Sequence, residues 1–220
     1  DVVNEAIEDN GEYRKSKWFT IIGPEWIELA FRFAHEADSS AELYYNDYNE
    51  WFPAKREAIY KLVKGLKEKG IRIDGIGMQA HLNMETPSYE EYEEAIVRYA
   101  SLGVKVMITE LDMTMLPWPS RLITADVNYR AQYLDSLNPY PNGLPDSVYQ
   151  SQTERLTTFF KIFLKHSDKI DRVTIWGVCD RQSWRNYWPI PNRTDYPVLF
   201  DRNYQPKLIV DRIIEMAENN

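Results

Sequence analysis

The strongest constraint in this chain is an alternation. Short β-type runs and longer helical runs follow one another in strict turn. Residues 1–3, 42–45, 75–79, 105–109 and 172–176 read as strands. After each, apolar residues recur at helical spacing. Trp26, Ala30, Phe33, Ala34 and Ala37 mark a helix opening near Pro24. Ile59, Leu62, Val63 and Leu66 mark one over residues 53–69, which Gly70 closes. Tyr92, Ala95, Ile96 and Tyr99 form the buried stripe of a third, with Ser88 as N-cap and Glu91 completing a capping box. Leu156, Phe159, Phe160 and Phe163 define a helix over 152–166, and a last one runs from about 206 to 218. Two long polar loops interrupt the pattern, at 113–149 and around Pro189, Pro191 and Pro197. Five strands in strict alternation with five helices predict a parallel α/β protein.

Chemistry-bearing residues gather where the strands end. Asn4-Glu5 follows the first strand and Asn46-Asp47-Tyr48-Asn49 the second. Gln79 and His81 close the third, Glu110 and Asp112 the fourth, Trp176 and Asp180 the fifth. Polar and aromatic residues at the C-terminal end of every strand are what a (β/α)8 barrel active site requires. An open doubly wound sheet would collect them at one switch point. No G-x-G-x-x-G and no Walker loop follows any strand, so a nucleotide-binding reading lacks its motif.

Composition narrows the partner. The net charge of −8 argues against a nucleic-acid groove, which needs clustered Lys and Arg. Cys179 is the one cysteine, and the three histidines lie far apart, so no metal centre and no cofactor are expected. No apolar run reaches the ~18 residues of a membrane span. Seven Trp and fifteen Tyr, dispersed along the chain, suit a polar ligand with flat apolar faces, such as a sugar.

Glu5 in VVNEA and Glu110 in VMITELDM each follow a hydrophobic run. One strand-end glutamate is ordinarily structural. Two in one barrel, among neutral polar neighbours, suit glycoside hydrolysis. One carboxyl protonates the leaving oxygen and the other attacks the anomeric carbon. Asn4, beside Glu5, is placed to orient a sugar hydroxyl or the carboxyl itself.

In order, DVVNEA, LYYNDYN, GIGMQAHL, VMITELDM and WGVCDRQSWR resemble glycoside hydrolase family 10, the endo-β-1,4-xylanases. The resemblance implies a (β/α)8 barrel, of which residues 1–220 supply the C-terminal portion, about five βα units (strands 4–8). It implies a retaining mechanism with Glu5 as general acid/base and Glu110 as nucleophile. It places Asn4 on the hydroxyl of the sugar being cleaved. His81 would hydrogen-bond the nucleophile, oriented by Asp112, with Gln79 beside them. Trp176 and Trp184 would wall the sugar, Tyr48 and Asn49 would line the leaving-group side, and Arg185 would brace the final loop. The carboxyl groups of a retaining pair lie roughly 5–5.5 Å apart.

The implied substrate is xylan or a xylo-oligosaccharide, and the implied location is extracellular or at the cell surface. Cys179 stands where threonine is commoner in the family, and no base surrounds it to make it a nucleophile. The chain opens inside a strand, so the first three strand–helix units are expected on a preceding segment or a companion chain: the N-terminal half of the same barrel. Five units alone leave bare strand edges. Two rivals remain at this point. One is a related barrel glycosidase acting on cellulose or β-glucan. The other is a barrel that binds xylan or a protein partner without catalysis.

Overall fold

The computed structural model describes residues 1–119 and 128–219. In chain order its elements are β1 (Val3–Asn4), α1 (Lys17–Ile22), α2 (Trp26–Ala37), β2 (Tyr44–Asp47), α3 (Pro53–Glu68), β3 (Gly75–Met78), β4 (His81–Asn83), α4 (Tyr89–Ala100), β5 (Lys105–Thr114), α5 (Asp146–Lys165), β6 (Ile170–Ile175) and α6 (Leu208–Glu218). Short 3-10 turns lie at Asp135–Leu137, Asp180–Gln182 and Trp184–Asn186. The residues cluster into two compact units. The first comprises Asp1–Ala80, Pro87–Glu110 and His166–Thr174, the second His81–Thr86, Leu111–Lys165 and Ile175–Asn220.

In the first unit β1, β2, β3 and the start of β5 pair side by side, all parallel. The register sets Asn4 opposite Asn46, Asn46 opposite Gly77, and Gly77 opposite Met107. Every residue of β2 and β3 is buried, as expected of parallel strands covered on both faces. The covering helices contribute Ile27 and Phe31 from α2, Ile59, Val63 and Leu66 from α3, and Tyr92, Ala95, Ile96 and Tyr99 from α4. Burying side chains of this size stabilises the unit by ~1.5–3 kcal/mol each before entropy is counted. The α4 capping box forms as the sequence predicts: Ser88 Oγ accepts from Glu91 N and Glu91 Oε2 accepts from Ser88 N.

Gly77 has a steric reason to be glycine. A Cβ there would lie 2.4 Å from Asn46 Oδ1 and 2.8 Å from Thr109 Cγ2. Two neighbouring strands send side chains across this one position.

In the second unit β4 pairs in parallel with the end of β5, His81 opposite Asp112 and Asn83 opposite Thr114. Helices α5 and α6 pack together, and α5 buries Leu156, Phe159, Phe160, Ile162 and Phe163. Asp180 is buried and accepts from Lys207 Nζ and Val198 N, both at 3.0 Å. No helix among the described residues is long and apolar enough to cross a membrane.

Several boundaries differ from the sequence reading. β5 continues to Thr114 rather than ending at 109, because Leu111 and Met113 keep one face apolar while β4 supplies a partner for the other end of the strand. α5 starts at Asp146, six residues earlier than 152, in a segment too polar to show helical periodicity. α1 escaped the sequence reading because it buries nothing. Its six residues are nucleated by Ser16, whose hydroxyl accepts from Phe19 N at 3.2 Å. Part of the 113–149 loop lies outside the described residues.

Candidate active site

In the first unit the end of β1 turns sharply. Glu5 sits at φ 55°, a left-handed conformation uncommon for a residue with a side chain. The strain is held by fixed backbone bonds. Glu5 N donates to Asn46 O at 2.9 Å, Ala6 N to Tyr45 Oη at 3.2 Å, and Ile7 N to Asp47 Oδ2 at 3.4 Å. The carboxylate that emerges is claimed on both oxygens. Oε1 accepts from Gln79 Nε2 at 3.1 Å, and Oε2 accepts from Arg14 Nη1 at 2.8 Å.

Side-chain amides connect this carboxylate to the second one. Gln79 Nε2 also donates to Asn4 Oδ1 at 3.1 Å. Asn46 Nδ2 donates to the same Asn4 oxygen and to Glu110 Oε1, each at 3.0 Å. Thr109 Oγ1 donates to Asn46 Oδ1 at 2.7 Å. Each amide nitrogen has two hydrogens and uses both. A flipped Asn46 would point its oxygen at two acceptors, so its orientation is determined. The run Glu5–Gln79–Asn4–Asn46–Glu110 is therefore a continuous hydrogen-bonded path between the two glutamates. The backbone repeats the link, since Glu110 N donates to Gln79 O at 3.0 Å.

Tyr48 and Asn49 follow β2 in the same unit. Tyr48 Oη accepts from Arg14 Nη2 at 2.8 Å, and the ring lies 3.4 Å over Lys55 Nζ. Asn49 turns elsewhere: its Nδ2 donates to Asp9 Oδ2 at 3.1 Å. Lys55 is fully buried and pairs with Asp47 at 2.8 Å and Asp9 at 3.3 Å. Burial pushes the Asp47 carboxyl up to about 6 against the opposing charge of Lys55.

The second unit holds the other sequence candidates. Asp112 is buried and surrounded by donors. Its Oδ1 receives His81 Nδ1 at 2.9 Å, Arg185 Nε at 2.8 Å and Arg185 Nη2 at 2.7 Å, and its Oδ2 receives Trp184 Nε1 at 2.7 Å. Burial would raise its pKa, but the charges of Arg185 and His81 outweigh it and draw the carboxyl down to about 2. The carboxylate fixes the proton on His81 Nδ1 and so selects the ring's orientation. The Trp184 ring lies edge-on to His81, with centroids 5.0 Å apart, and stacks on Trp188 at 5.2 Å. Arg185 is buried, and its guanidinium is spent on Asp112 rather than on an open surface. Trp176 is 45% exposed. Cys179 is buried, with Sγ 3.7 Å from Gln182 Oε1.

The structure thus joins Asn4, Glu5, Gln79 and Glu110 in one network, with Tyr48 reached through Arg14. It joins His81, Asp112, Trp184 and Arg185 in another. Two participants, Arg14 and Thr109, go unnamed in the sequence, and Asn46 appears there only as a strand-end polar residue without a role. Asn46 had a visible signal, because it occupies in LYYNDYN the strand-end position that Asn4 occupies in DVVNEA. Arg14 had none. It arrives through a loop in which Ile7 bridges Tyr13, Arg14 N donates to Ala6 O, and Gly11 makes the turn at φ 85°. A Cβ on Gly11 would lie 2.8 Å from Ala54 O.

Comparison with known proteins identifies the relatives of this chain. The family model described as glycosyl hydrolase family 10 matches residues 1–216. Endo-1,4-beta-xylanase A of Xylanibacter ruminicola is 51% identical over 218 residues, which is 99% of this chain and 59% of that protein. A solved GH10 endoxylanase retrieved from a sugarcane soil metagenome superposes with a TM-score of 0.94 at 46% identity, over 98% of this chain and 63% of that one. TsXylA, an intracellular xylanase from Thermoanaerobacterium saccharolyticum solved as a Glu-to-Ala mutant with xylotetraose, gives 0.79 at 36% identity, over 97% and 56%. The chain therefore spans about three-fifths of the length of such relatives. Its parallel strand–helix order is that of part of a (β/α)8 barrel, and the chain belongs to glycosyl hydrolase family 10.

Proposed function

We propose that this chain is the catalytic-site portion of a retaining endo-1,4-β-xylanase that hydrolyses internal linkages of xylan. The observation that carries the reading is the amide path from Glu5 to Glu110. It connects two glutamates from two strand ends through one polar network, which supports reading them as a catalytic pair. In the first step a Glu110 oxygen attacks the anomeric carbon, the glycosidic C–O bond breaks, and the Glu5 proton passes to the leaving oxygen. In the second, water gives its proton to Glu5 and its oxygen to the anomeric carbon, which releases Glu110. Asn4 accepts two hydrogen bonds at its oxygen, so its own Nδ2 is the group it can offer to a sugar hydroxyl.

The proposal includes a partner. The relatives carry a further two-fifths of their length beyond what this chain spans, and we assign to such a segment the strands that complete the barrel. It also includes an extracellular location, which separate assays of culture medium and cell lysate would test, TsXylA being an intracellular relative. The deciding experiment is proton NMR of xylo-oligosaccharide hydrolysis by the completed enzyme. Initial release of the β-anomer supports retention, and initial release of the α-anomer sinks it. Carboxymethyl-cellulose turned over as fast as xylan would favour a glucan substrate instead.

A further inference from the structure

Arg14 stands outside every motif that identified the site, yet its guanidinium touches two of the site's residues and is anchored by a third, Glu8. Nη1 donates to Glu5 Oε2 at 2.8 Å, Nη2 donates to Tyr48 Oη at 2.8 Å, and Nε donates to Glu8 Oε1 at 3.1 Å. Burial alone would lower the Arg14 pKa, but Tyr48, Glu5 and Glu8 together outweigh it and hold it above its ordinary value. A planar fork of this kind imposes an angle on each partner that an ammonium cannot. The Glu5 carboxylate has little latitude: Gln79 holds one oxygen and Arg14 the other. Tyr48 is likewise held from two sides, by Arg14 at its hydroxyl and by Lys55 3.4 Å beneath its ring.

We propose that Arg14 is a positioning residue for proton transfer, which fixes Glu5 Oε2 relative to Tyr48 and so aims the acid/base at the leaving oxygen. The inference rests on the reading of Glu5 as acid/base. Two features beyond the contacts support it. The loop that delivers Arg14 is folded for the purpose: Arg14 N is tied to Ala6 O directly after Glu5, and the Gly11 turn packs against Ala54 of α3. The φ of 55° at Glu5 also sets the direction in which its side chain leaves the strand, and Gln79 and Arg14 meet it there. Arg14 takes part in no bond-making step. It constrains where the proton is delivered and, in the second step, where water is deprotonated.

The test uses the completed enzyme, Arg14→Met and Arg14→Lys, and two aryl β-xylobiosides. The phenyl glycoside needs its leaving group protonated, whereas the 2,4-dinitrophenyl glycoside does not. A positioned general acid is worth roughly 10²–10⁴-fold, and loss of its aim should forfeit part of that. For Arg14→Met we expect kcat/KM to fall at least about tenfold on the phenyl substrate and less than about threefold on the dinitrophenyl one, with Arg14→Lys recovering part of the loss. A parallel fall on both substrates means a structural role only and overturns the proposal. An unchanged phenyl rate overturns it as well. Glu5→Ala run beside them separates the two readings. If that variant loses the phenyl and dinitrophenyl rates equally, the acid/base assignment itself fails, whatever Arg14 does.

Discussion

Asn46 Nδ2 donates to Glu110 Oε1 at 3.0 Å. The other hydrogen of the same amide goes to Asn4, and Thr109 fixes the amide oxygen. One side chain thus holds the Glu110 carboxylate by a donor whose orientation its other two hydrogen bonds fix. Asn46→Asp would replace that donor with an oxygen facing two acceptors. We expect kcat to fall at least about 10²-fold, comparable to losing an oriented electrostatic donor, together with a lower melting temperature from the oxygens left facing one another at this buried position. Steady-state kinetics on an aryl xylobioside with a parallel thermal melt checks this. A variant within threefold of wild type would remove Asn46 from the machinery.

Glu110→Ala should abolish turnover while leaving xylo-oligosaccharide affinity largely intact. The remaining network of Asn4, Gln79, Glu5 and Arg14 is closed without the Glu110 side chain. Calorimetric titration with xylotriose and an overnight product assay measure both. Normal activity would end the nucleophile assignment, and lost binding with an intact melt would assign Glu110 to ground-state recognition.

How much of this was open to reading from sequence depends on the range over which each residue acts. Strand ends are announced by hydrophobic runs, so Glu5 and Glu110 stood out and the parallel order followed. The capping box of Ser88 and Glu91 is a local signal and was found. Arg14 is nine residues from Glu5, and only the hydrogen bonds of an irregular loop bring them together. Asn49, which follows β2 in sequence, has a positive φ and donates to Asp9, a partner that no motif announces. Arg185 reads as a loop brace, and the structure gives the partner that spacing cannot: a buried carboxylate seventy-three residues away.

That carboxylate makes a stability prediction. Asp112 has a folded pKa of about 2, below the ~3.9 of an unfolded aspartate. A depressed pKa contributes stability that is present above the unfolded value and lost as pH falls through the folded one. The contribution is roughly 2–3 kcal/mol at neutral pH and disappears between about pH 4 and pH 2. Asp112→Asn would also leave the buried Arg185 without its counter-charge, at a cost of ~3–5 kcal/mol. Guanidinium unfolding midpoints should fall for the variant at pH 7, and the gap to wild type should narrow at pH 3. A gap that widens in acid would contradict the ion-pair account.

Gly77→Ala tests how the amide path is supported from below. The added methyl would fall 2.4 Å from Asn46 Oδ1 and 2.8 Å from Thr109 Cγ2, so one of the two must move. Overpacking in such a place costs ~1–3 kcal/mol. Because Thr109 and Asn46 are bonded to each other, the shift should also disturb the donor to Glu110. We expect a kcat loss larger than the modest drop in stability explains. Full activity in a destabilised but folded variant would show that Asn46 tolerates displacement.

Glu50 carries the opposite sign. It is fully buried in the first unit, with Ala80 N donating to its Oε1 at 3.4 Å and the Lys55 charge nearby. Burial pushes its carboxyl up to about 8, even though Lys55 favours the ionised form. Asp47 adds to the rise, and the hydroxyls of Tyr92 and Tyr99 face the same group. A raised carboxyl pKa means that the folded state holds a proton the unfolded chain releases near pH ~4.3. Its contribution is fully present below that value and is lost as pH climbs toward 8. Glu50→Gln keeps the shape and the acceptor for Ala80 N but cannot ionise. The variant should match wild type near pH 4 and exceed it by a few kcal/mol at pH 9, read as the difference between guanidinium unfolding midpoints. If wild type is the more stable protein at pH 9, the buried Glu50 is ionised and paired with Lys55, and the inferred direction is wrong.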